Sequence, residues 1–65
     1  MKQDRRKGNP DKVHPAMARK ALERAKGDKR KAYSECVQLS FRSTGMLSPG
    51  FDVDDLMAFY QREGL

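Results

Sequence analysis

One cysteine and one histidine in 65 residues leave this chain without either covalent or metal staple that domains of its size commonly rely on. Cys36 has no partner for an intrachain disulfide, and Cys36 with His14 cannot fill a closed four-ligand zinc site. A chain this short hides only about 60% of its surface on folding. Its stability must come from close packing of a few short elements, or from dimerisation or a partner that binds only the folded form.

The order of residues says which elements these are. Pro15 suits the first position of a helix, where its missing N–H costs nothing, and this puts His14 at the cap. Met17, Ala18, Ala21, Leu22 and Ala25 then recur at helical spacing and predict a first helix over about 14–26 with a narrow stripe of mostly small side chains. Gly27 and Asp28 read as the end of that helix and the cap of the next, with one long helix running through Gly27 as the alternative. A second helix is expected over about 28–43. Its apolar face is Ala32, Tyr33, Cys36, Val37, Ser40 and Phe41, widened by Leu39. Gly45 ends it, Met46 and Leu47 are expected to fold back onto the core, and Ser48-Pro49-Gly50 has the pattern of a type II turn.

The third helix, about 52–63, carries the fullest set of signals. Asp52 is its cap, and Asp54 and Asp55 complement the positive end of the helix. Phe51 and Leu56 have the spacing of a hydrophobic staple. Val53, Leu56, Met57 and Tyr60, with Phe59, form the apolar face, and Gly64 closes the helix. Residues 1–12 hold Met1 as their one large apolar side chain, and they read as a flexible basic arm. The expectation is therefore an all-α fold: a three-helix mini-domain over 13–65, a helical hairpin plus a C-terminal helix, preceded by a disordered basic arm over 1–12. A lone cysteine, no apolar run near 18 residues and no secretion signal point to the cytoplasm and to no membrane partner.

No pattern for catalysis or for a cofactor emerges. The three aspartates near residue 52 are explained by capping, and the alternating acids and central glycine of a calcium loop are missing. The glycines are scattered, without a phosphate-binding or dinucleotide fingerprint. Cys36 falls on an apolar face, where a free cysteine acts as a small hydrophobe. The chain is accordingly expected to be neither an enzyme nor a metal or cofactor carrier.

Charge is the informative feature. Residues 1–34 carry twelve Lys/Arg against four Asp/Glu, a balance of +8, whereas residues 35–65 carry two Arg against five acids, a balance of −3. Such asymmetry suits a polyanion, or an acidic protein face, as partner. Arg5, Arg6 and Lys7 in the arm, with Lys29, Arg30 and Lys31 at the start of the second helix, are the candidate nucleic-acid or anion contacts. Three cations oppose the dipole at a helix start, and free N–H groups there would receive a phosphate. The leading expectation is a small regulatory protein that binds DNA or RNA through phosphates. The alternative is a modulator of the phage or plasmid type that grips a host enzyme, such as a transcription or replication component. Its anchors would be drawn from Met46, Leu47, Phe51 and Phe59, with homodimerisation as a further route to stability.

Overall fold

The computed structural model describes residues 8–65. The expected helices are all present: α1 spans Pro15–Arg24, α2 spans Lys29–Thr44 and α3 spans Val53–Glu63. Among the described residues there is no strand. A single 3₁₀ turn, Pro10–Lys12, precedes α1.

Local chemistry sets each boundary. The His14 Nδ1 accepts the Met17 N–H at 3.4 Å, and Pro15 follows at the first helical position. Gly27 interrupts the helical path, so the single-long-helix alternative does not hold. The Gly27 N–H reaches back to the Leu22 carbonyl at 3.0 Å, and Lys26 N–H to Glu23 at 3.0 Å. This closure places Lys26 itself in the left-handed region, at φ 57°. Asp28 then caps α2, accepting the N–H groups of Arg30 and Lys31 at 3.1 and 3.3 Å. At the other end Gly45, at φ 77°, allows its N–H to turn back onto the Phe41 carbonyl at 2.8 Å. Asp52 and Asp55 form a reciprocal capping box on α3.

The hairpin of α1 and α2 closes over small side chains: Ala18, Ala21 and Ala25 from one helix, Ala32 and Cys36 from the other, all buried. Small residues let two backbones approach, and Arg24 fastens the pair by donating to Glu35 at 2.9 Å. The bulk of the core comes from α3 and its entry: Phe51, Leu56, Phe59 and Tyr60 are at most 5% exposed. Phe51 and Leu56 are both buried on either side of the Asp52 cap, as the staple spacing requires. Tyr60 and Tyr33 anchor α3 to the hairpin. The Tyr60 hydroxyl donates to the Ala18 carbonyl at 2.6 Å, and that of Tyr33 to the Phe51 carbonyl at 3.1 Å.

Four expectations need correction. Residues 9–12 do not belong to a free arm. Asn9 caps the 3₁₀ turn, its own N–H donates to the Asp55 carboxylate at 2.6 Å, and Asp11 pairs with Arg62 at 2.9 Å. Gly8 sits so close to the α3 backbone at Asp54 and Asp55 that a Cβ there has no room. The covered face of α2 is Ala32, Cys36 and Ser40, which leaves Phe41 outside at 54% exposure. The covered face of α3 is Asp55, Leu56, Phe59 and Tyr60, with Val53 exposed. Met46 and Leu47 do not fold back: they are 59% and 72% exposed, because the Ser40 hydroxyl holds the loop by the Ser48 carbonyl at 3.1 Å and directs the chain to Phe51 instead.

Candidate nucleic-acid interface

The connection between α1 and α2 gathers the densest positive charge among the described residues. Lys26, Lys29, Arg30 and Lys31 fall within six consecutive positions, with Asp28 as the one acid, and all four cations are exposed. Lys26 lies in the turn itself, while the other three occupy the first turn of α2.

Three acids along the body of the molecule are engaged with other cations, while Glu23, exposed three residues before Lys26, has no ion-pair partner among the described residues. Glu63 pairs with Arg19 at 2.9 Å, Glu35 with Arg24 at 2.9 Å, and Asp11 with Arg62 at 2.9 Å. Asp52 and Asp55 serve the start of α3. Among the described residues no carboxylate lies within ion-pairing distance of Lys26, Lys29, Arg30 or Lys31. The capping role of Asp28 has a cost for the expected phosphate receptor. Its carboxylate already takes the Arg30 and Lys31 N–H groups, so those amides do not face an incoming anion. What the turn offers is four exposed cationic side chains, a residue type whose contacts to phosphate carry no sequence information.

The remaining expected residues divide cleanly. Arg5, Arg6 and Lys7 lie outside the described residues. Met46 and Leu47 are open to solvent, whereas Phe51 and Phe59, at 5% and 1% exposure, belong to the core and cannot anchor a partner. Two surface residues were missed by sequence reasoning. The spacing places Lys26 in the body of the first helix, whereas the structure puts it in the turn directly before Gly27. The broad apolar face includes Phe41, yet at five residues from Cys36 and one from Ser40 it lies about 100° or more round the helix from the covered stripe, which is the signal available for its exposure.

Side chains with catalytic potential are built into the structure instead. The buried Cys36 thiol is pushed up to about 11, chiefly by burial and further by Glu35. Burial likewise pushes the Tyr60 hydroxyl up to about 12. Asp55 is held below the usual carboxylate range by the peptide N–H groups of Asn9 and Asp52. Among the described residues no three His, Cys, Asp or Glu side chains come together as a metal site, and no helix is long and apolar enough to cross a membrane. Comparison with protein-family models, with curated proteins and with solved structures gives no match to this chain.

Proposed function

We propose that this chain is a small regulatory protein that binds nucleic acid through phosphate contacts from the α1–α2 turn. Lys26, Lys29, Arg30 and Lys31 supply the contacts, and Arg5, Arg6 and Lys7 add to them. The observation that carries the reading is the concentration of charge: four exposed cations share one turn, and none of them is ion-paired among the described residues. Lys26 adds support, since a non-glycine residue at φ 57° is a local cost carried at the edge of this cluster. Contacts of this kind release counterions, so affinity falls steeply with salt and depends little on sequence.

Fluorescence anisotropy with labelled duplex DNA and RNA, titrated at rising salt, tests the reading. Neutralising three to six phosphates gives a log–log slope of roughly −3 to −5 on duplex DNA. Absence of binding to either duplex at low salt refutes it.

A further inference from the structure

The end of α2 opposite the basic turn has a different character. Phe41, Met46 and Leu47 are more than half exposed, although the other four aromatic side chains are buried or half-buried. Phe41 stands on the last turns of α2, and the loop that carries Met46 and Leu47 is tied to that helix. The Thr44 hydroxyl donates to the Ser40 carbonyl at 3.0 Å and accepts the Met46 N–H at 3.4 Å. Gly45 and Ser48 are tied to Phe41 and Ser40. A surface presented in one conformation loses little entropy when it docks. Between Cys36 and Phe51 the single charged residue is Arg42, in a chain of which 35% is charged.

We propose that this end is a docking surface for a second, different protein. That partner receives Phe41, Met46 and Leu47 in an apolar groove and sets a carboxylate against Arg42. Charge decides against a second copy of the chain. Two copies meeting here bring two Arg42 side chains into one interface with no acid from 36 to 51 to answer either. Size decides the same way: three side chains fall far short of the roughly 800 Å² per partner typical of a stable interface, yet match the few apolar anchors that dominate docking into a groove. The 16 residues of α2 place the two ends about 24 Å apart. Docking therefore leaves the basic turn accessible, and the inference does not depend on the nucleic-acid reading.

The test replaces Phe41 and then Leu47 with the photocrosslinker p-benzoylphenylalanine in the full chain, inside its native host. Nuclease treatment precedes mapping of the adducts by mass spectrometry. The identified protein is then purified and titrated calorimetrically with the wild type, Leu47→Ser, Arg42→Gln and Lys29→Glu. The expected result is one protein captured from both positions, with adducts at apolar residues beside Asp or Glu. Leu47→Ser should weaken its binding about tenfold. Arg42→Gln should weaken it less, and Lys29→Glu should leave it unchanged, with the thermal melt of each variant confirming the fold. Adducts between copies of the chain, adducts to lipid or to many unrelated proteins, no adduct, or undiminished binding by Leu47→Ser would overturn the proposal.

Discussion

Tyr60 joins two roles in one side chain. Its ring fills the core at 0% exposure, and its hydroxyl reaches the Ala18 carbonyl of α1. Tyr60→Phe keeps the ring and removes the donor, at an expected cost of about 1–2 kcal/mol. Urea denaturation should show a lower midpoint at unchanged slope. Cys36 acts through volume alone. A thiol with 0% exposure, raised to about 11, offers almost no thiolate at neutral pH, so a disulfide reagent should modify it only as fast as the chain opens. Asp55 links stability to pH. Its carboxylate is stabilised in the folded state first by the Asn9 N–H and then by the Asp52 N–H. A depressed folded value means that the stabilisation is complete above the unfolded value and disappears as pH falls through the folded one. Thermal melts should therefore decline as pH drops below the ordinary aspartate range, and Asp55→Asn should lose part of that decline.

Turns, more than helix interiors, carry the features that distinguish this chain at the level of elements. Lys26 occupies the left-handed position that closes α1, where a side chain costs about 1 kcal/mol relative to glycine. Lys26→Gly should raise stability by about that amount while it weakens duplex binding, two opposed readouts from one substitution. The strap of residues 8–12 depends on Gly8 in a comparable way. Gly8, at φ 79°, lies against the α3 backbone, and Gly8→Ala should push the strap away. Faster hydrogen exchange of the Asn9 amide, with the buried α1 and α2 amides unchanged, is the expected signature. The basic residues expected at the start of α2 are where the spacing put them. The phosphate receptor expected of its amides is not, because Asp28 satisfies them, and the same cap signal that located the helix already contained that outcome.

Viewed whole, the molecule places two contrasting surfaces at the two ends of one hairpin. Cations collect at the α1–α2 turn and apolar side chains at the far end of α2, with a core of alanine, cysteine and four large residues of α3 and its entry between them. Ion pairs at Arg19, Arg24 and Arg62 take up acids along the body, and the turn keeps an excess of positive charge over Glu23 and Asp28. Reversing charge at Lys29 and Arg30 together should flatten the salt dependence of duplex binding by about two units of slope or more, with the melt preserved because both side chains are exposed.

Amino-acid order alone determined where the helices begin and end. His14-Pro15, Asp28, Asp52, Gly45 and Gly64 act on backbone groups within a few residues of themselves, so their signals need no knowledge of the rest of the chain. Tertiary structure decided which side of each helix is covered. Periodicity sets the angle between successive apolar residues but leaves the rotation of the helix open, and the neighbours choose it. That choice turned Phe41 and Val53 outward and paired Asp55 with a peptide N–H 46 positions away.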